Sequence, residues 1–178
     1  MRKKGNPKPF IYYDNLNPWE TVCMLLYAIV TVGVILTLLF AQPKTKQTTI
    51  IMYIVLSQLG MYFGLYTSLR NFKSYLLWLG FGVVHLILFL CFRGNPTIEM
   101  YRGNPTIGLI NTILLLLLFQ FLRYLSLKIQ HREFVAPAKG GGPDLFENKK
   151  LTFADFVIFV IYMGSWFGLT MLSLSIQK

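Results

Sequence analysis

Five apolar runs dominate this chain, each long enough to cross about 30 Å of hydrocarbon at 1.5 Å per residue. They cover roughly Trp19 to Ala41, Thr48 to Leu69, Ser74 to Phe92, Thr106 to Leu127 and Phe153 to Ile176. None carries Asp, Glu, Lys or Arg near its middle. Glu20, Arg123 and Asp155 fall close to ends, where a charged head can reach the interface. The runs predict an all-α fold: a polytopic membrane protein with a bundle of about five transmembrane helices, forming a single transmembrane domain over residues 1–178.

Composition agrees. Of 178 residues 54% are hydrophobic and 13% charged, against roughly 25% charged in soluble domains. So few charges cannot coat a water-soluble globule of this size. Disorder is excluded by the apolar content, and a disulfide-stapled fold by having only two cysteines. Cys23 and Cys91 belong near opposite ends of the bundle, too far apart to bridge.

Two runs invite other readings. The first follows Arg2, Lys3 and Lys4, like a secretory signal, but it is too long, begins too late, and ends in a poor cleavage site at Phe40, Ala41 and Gln42. It is expected to stay as a helix. The third is the shortest and holds Gly80, Gly82 and His85, which suits a segment that enters and returns. Because lipid-exposed irregular backbone is not tolerated at that depth, a full crossing is expected.

Helix starts are written in ordinary chemistry. Asn17, Pro18, Trp19 and Glu20 read as N-cap, proline at N1, an interfacial indole and an acid that reaches back to the cap. Thr152 with Asp155, and Asn104 with Pro105, do the same for the fifth and fourth spans. Lys and Arg sort unequally: with the N-terminus inside, five of the seventeen (Lys44, Lys46, Arg93, Arg102, Lys178) lie outside and twelve inside. That asymmetry predicts a cytoplasmic N-terminus and an outer C-terminus, in a cytoplasmic membrane or its equivalent. The net charge of +10 then reflects topology and attraction to anionic lipid headgroups, and nucleic acid is not an expected partner.

The longest connection, 128–152, is read as an inner flexible loop. An amphipathic extension of the fourth helix, Ser126 to Phe134, leads to a break at Pro137, Gly140, Gly141, Gly142 and Pro143. A solvated linker is the plain reading and a docking segment the sharper one. The outer loop holds a tandem duplication: FRGNPTIEM from Phe92 is followed by YRGNPTIGL from Tyr101. Each copy sets Arg and Gly before an Asn-Pro-Thr helix start, so Arg93 and Arg102 are candidate contacts for an anion or lipid headgroup. Turn chemistry that merely lengthens a loop is the simpler account.

Polar groups within the runs are few. Gln58, His85 and Gln120 fall at similar depths on three helices, with Asn111 about one and a half turns into the fourth, and they predict a polar layer hydrogen-bonded across the bundle. The functional form of that layer has His85 titrating or holding a ligand. Haem is disfavoured because His131, the only other histidine, belongs at the inner end. Small residues line two faces: Ser57, Gly60, Gly64 and Ser68 on the second run, and Gly164 with Gly168 on the fifth. Such faces let helices approach closely, within one chain or between chains.

No cofactor is called for. Neither a metal cluster, a nucleophile–base pair nor a phosphate-cradling loop is evident. The expected function is therefore association: an accessory, scaffold or assembly subunit of a larger membrane complex, whose partners are the bilayer and another membrane protein or a second copy. A small oligomeric channel or transporter using the Gln/His layer is the alternative, and a lipid-modifying membrane enzyme the third.

Overall fold

The structure, a computed structural model, describes residues 9–101, 103–137 and 150–175. Arg102, Lys178 and the glycine cluster of 140–143 lie outside the described residues. The described residues fold into five helices: α1 (Pro18–Phe40), α2 (Pro43–Phe63), α3 (Phe72–Phe92), α4 (Asn111–Gln130) and α5 (Phe153–Ser175). Short 3₁₀ turns, Ser68–Arg70 and Pro105–Leu109, precede α3 and α4. The helices alternate in direction. One end of the bundle, the arm end, gathers the segment before α1 and the junctions α2–α3 and α4–α5. The other, the repeat end, gathers the α1–α2 turn and the duplicated loop.

Among the described residues, four stretches are long and apolar enough to cross a membrane: Pro18–Phe40, Phe72–Phe92, Pro105–Gln130 and Phe153–Ser173. The third apolar run forms α3, one continuous helix with no re-entrant break. α2 is less apolar, because its opening turns hold Lys44, Lys46, Gln47, Thr48 and Thr49. Lys46 is buried, its Nζ donating to Leu39 O at 3.3 Å and Thr97 Oγ1 at 3.4 Å.

The second apolar run and its helix do not coincide. The helix begins at Pro43, whose fixed φ suits the first helical position. It closes at Gly64, whose N–H donates to Gly60 O at 2.8 Å. Leu65 to Leu69 turn beneath the bundle, where Tyr66 and Leu69 are buried; their apolarity serves packing and not a helix.

The fourth helix also stops early, at Gln130, so the expected extension to Phe134 does not form. His131 takes a left-handed conformation (φ 52°), Ser126 Oγ donates to Arg132 O at 2.8 Å, and the chain doubles back. Phe134, Val135 and Ala136 are then buried, Phe134 packing edge-on against Phe119.

The expected starts of α1 and α5 form, whereas Asn104 and Pro105 open a 3₁₀ turn and α4 itself begins at Asn111. Asn17 N–H donates to Glu20 Oε2 at 2.8 Å. Thr152 N–H donates to Asp155 Oδ2 at 3.0 Å, and Asp155 N–H returns to Thr152 Oγ1 at 3.2 Å. Asp155 does more than cap: it is fully buried, accepts from Gln130 Nε2 at 2.9 Å and pairs with Arg132, tying the end of α4 to the start of α5.

Two apolar clusters fill the interior. One, toward the arm end, is built around Tyr62, Trp78, Leu116, Phe119 and Tyr162. The other, toward the repeat end, is built around Leu38, Ile50, Leu88, Ile98 and Leu109. A belt of polar side chains separates them.

Candidate functional site

The belt is made by hydroxyls at helical spacing around one imidazole. Tyr27 and Thr31 on α1, and Tyr53 and Ser57 on α2, are i, i+4 pairs and so share a face. α3 supplies His85 and α4 supplies Thr112, both fully buried. His85 Nε2 lies 2.7 Å from Tyr27 Oη and 2.9 Å from Tyr53 Oη, and Nδ1 lies 2.8 Å from Thr112 Oγ1.

The partners fix where the protons go. Thr31 donates its hydroxyl to Tyr27 O at 2.8 Å, so the 2.7 Å contact between Thr31 and Tyr53 has the phenol as donor. Tyr27 donates to Ser57 Oγ at 2.9 Å. Both phenol oxygens therefore face His85 Nε2 as acceptors, which puts the ring proton on Nε2 and leaves Nδ1 to accept from Thr112. This tautomer is assigned from the network. Thr112 Oγ1 in turn accepts from Gln58 Nε2 at 3.3 Å. Gln58 is completed by Gly108 O at 2.8 Å and by Trp166 Nε1, which donates to Oε1 at 3.0 Å.

Gln58 and His85 thus meet through Thr112. Gln120 does not join them. It lies eight residues along α4 from Thr112, about 12 Å at helical rise, and its Nε2 donates to Leu69 O at 2.8 Å. Its Oε1 accepts from Arg123 at 3.4 Å, placing Gln120 in a separate ionic cluster at the arm end. Arg123 was expected to reach the interface and is instead fully buried. The re-entering loop brings Glu133 to it, with Nη2 to Oε1 at 2.7 Å and Nε 3.0 Å from both oxygens. Phe10 and Tyr12 of the N-terminal arm cover its guanidinium at 4.9 and 5.5 Å. Arg70 donates to Phe134 O at 2.5 Å and stands 3.8 Å from Glu133.

Asn111, near the repeat end, donates from Nδ2 to Ser173 Oγ at 3.1 Å, joining α4 to α5. Arg93 follows the last residue of α3 and is exposed. The duplicated loop folds as two matching turns. Asn95 Oδ1 accepts from Thr97 N–H and Oγ1 at 3.0 and 2.8 Å, and Asn104 Oδ1 does the same with Thr106 at 3.0 and 2.7 Å. Only the second copy uses its glycine for a left-handed turn, Gly103 at φ 98°.

The small-residue faces divide. Ser57 is turned inward to Tyr27, and Ser68 belongs to the 3₁₀ turn, bonded to Ser74 Oγ at 2.6 Å. Gly60, Gly64, Gly164 and Gly168 are exposed. A Cβ added at Gly60, Gly164 or Gly168 would meet nothing within 4 Å. Internal close packing falls to Gly82, where a Cβ would come within 3.0 Å of Ile113.

Cavities border the belt on two sides among the described residues. One of about 430 Å³ reaches Gln58, Asn111 and Trp166; the other, of about 400 Å³ between α1 and α2, reaches Tyr27, Tyr53 and Ser57. Among the described residues no three His, Cys, Asp or Glu side chains gather as metal ligands would. The fold defines a class, an all-helical bundle with four helices able to span a membrane. Beyond that class, the chain matches no protein-family model, no curated protein and no solved structure with which it was compared.

Proposed function

We propose that this is an integral, multi-pass membrane protein that acts by association, as an accessory, scaffold or assembly subunit of a larger membrane complex. The observation that carries the reading is the outward presentation of Gly60, Gly164 and Gly168, none of which has another part of the chain within 4 Å of where a Cβ would sit. In lipid, helix pairs are held by close backbone approach, and exposed glycines at i, i+4 allow it. α1 adds a lipid-compatible surface, with Leu25, Ile29, Val32, Leu36 and Phe40 all exposed. α2 is read as a fifth span, the N-terminus as cytoplasmic, and Arg93 as an anionic headgroup contact, by the charge asymmetry.

The channel or transporter reading has less support. The polar belt lies between two apolar clusters, and its groups bond to one another in place of forming a path from end to end. An enzyme reading would have to use the Thr112–His85 contact, and both side chains are fully buried and bonded within the belt.

Co-purification from native membranes in mild detergent tests the proposal. The expected result is a stoichiometric partner, or a second copy, that is lost in Gly164→Leu/Gly168→Leu while the variant still folds. A chain that is always recovered alone, and that conducts ions from proteoliposomes by itself, would overturn it.

A further inference from the structure

The 430 Å³ cavity beside the polar belt has the features of a lipid site. It follows α2 from Ile51 to Gln58, about 10 Å at helical rise. Ile51, Ile54 and Val55 line it from α2, Ile107 from the turn before α4, and Trp166 from α5. Left empty, a largely apolar space of this size would forfeit the dispersion contacts of the groups lining it. Its volume of about 430 Å³ accommodates part of one acyl chain.

The polar atoms on its wall narrow the ligand. Thr170 donates to Trp166 O and Ser173 to Leu169 O, both at 2.8 Å, and Trp166 donates to Gln58. These groups have no proton to offer. Asn111 differs. Because Ser173 gives its proton to Leu169, its oxygen faces the Asn111 amide as an acceptor. That fixes the orientation of the carboxamide. One Asn111 N–H and Oδ1 then form no hydrogen bond among the described residues, although the residue is only 5% exposed. A donor and an acceptor left open on one planar group at the cavity wall suit a ligand that answers both.

We propose that the cavity binds a monoacylglycerol unit: a single acyl chain lying along α2 toward Trp166, its ester carbonyl accepting from Asn111 and its free glycerol hydroxyl donating to Asn111 Oδ1. The site is independent of the association faces. At 100° per residue, Gly60 and Gly64 lie on the side of α2 opposite Ile51, Val55 and Gln58, and Gly164 and Gly168 lie opposite Trp166 and Thr170 on α5.

Trp166 is a built-in reporter. The full chain with Trp19→Phe and Trp78→Phe is reconstituted in phosphatidylcholine vesicles and titrated with a dibromostearoyl monoacylglycerol. Trp166 emission should fall saturably at low mole fraction, and monoolein should reverse the fall, whereas methyl oleate, which lacks a hydroxyl, should not. Lysophosphatidylcholine as competitor separates the sources: equal competition means that the glycerol unit alone is read, and weaker competition means a neutral glyceride. Asn111→Leu should raise the half-saturating mole fraction about tenfold. Val55→Phe, which fills the cavity without touching Asn111, should abolish the saturable phase. Quenching that rises in proportion to the brominated chains, is indifferent to the hydroxyl and is unchanged in Val55→Phe would overturn the proposal, because bulk lipid would then account for it.

Discussion

Thr112 is the residue through which the polar belt is coupled, since one hydroxyl serves both His85 Nδ1 and Gln58 Nε2. Thr112→Val removes a donor and an acceptor together and leaves two buried groups unanswered, at about 1–3 kcal/mol for each such group. Tyr53→Phe should cost less, because His85 Nε2 keeps Tyr27; a bilayer hydrogen bond averages only about 0.6 kcal/mol. Thermal denaturation in a single detergent should rank the two in that order, and the reverse ranking would argue against the proton assignment. At the arm end, Glu133→Ala strands Arg123 in the interior. Breaking a buried pair costs about 3–5 kcal/mol, and the lower end applies because the Glu133 side chain is 19% exposed. Arg123→Met with Glu133→Leu should be less destabilised than Glu133→Ala alone. Gln58 and His85 were legible in the sequence because an amide and an imidazole stand out among leucines. Tyr27, Tyr53, Thr112 and Trp166 did not, since hydroxyls and aromatics are common in spans. The i, i+4 pairing of Tyr27 with Thr31 and of Tyr53 with Ser57 was the available signal.

Helix ends divide the elements into those readable from the chain and those that are not. Glu20 and Asp155 announce their helices because capping is local chemistry within four residues. The end of α4 depends instead on Ser126 meeting Arg132 and on Glu133 being drawn to Arg123, contacts that exist only once the loop has folded back. The start of α2 was masked by its lysines, although Pro43 marks it. Depth errors follow from such shifts, and Gln120 was grouped with Gln58 for that reason. Glycine roles can be separated by substitution. Gly82→Leu drives a side chain into Ile113, where even a Cβ sits at 3.0 Å, and overpacking of this kind costs about 1–3 kcal/mol. Gly164→Leu meets open space and should leave the melting temperature of the isolated chain unchanged.

Across the whole molecule, two apolar clusters are joined by a belt whose polar groups are satisfied by one another, and both ionic clusters are gathered at the arm end under the N-terminal arm and the re-entering loop. Such an interior resists change, and the outside carries glycines on α2 and α5, an apolar α1 and a cavity along α2. Association in the membrane is the proposal that these faces support. The most direct measurement is the mass of particles excised with their native lipid by a membrane-solubilising polymer, compared between the wild type and Gly164→Leu/Gly168→Leu. The account predicts a particle heavier than one chain by a partner or a second copy, falling to a single chain in the variant. A wild-type particle holding one copy and lipid alone, identical in mass to the variant, would contradict it.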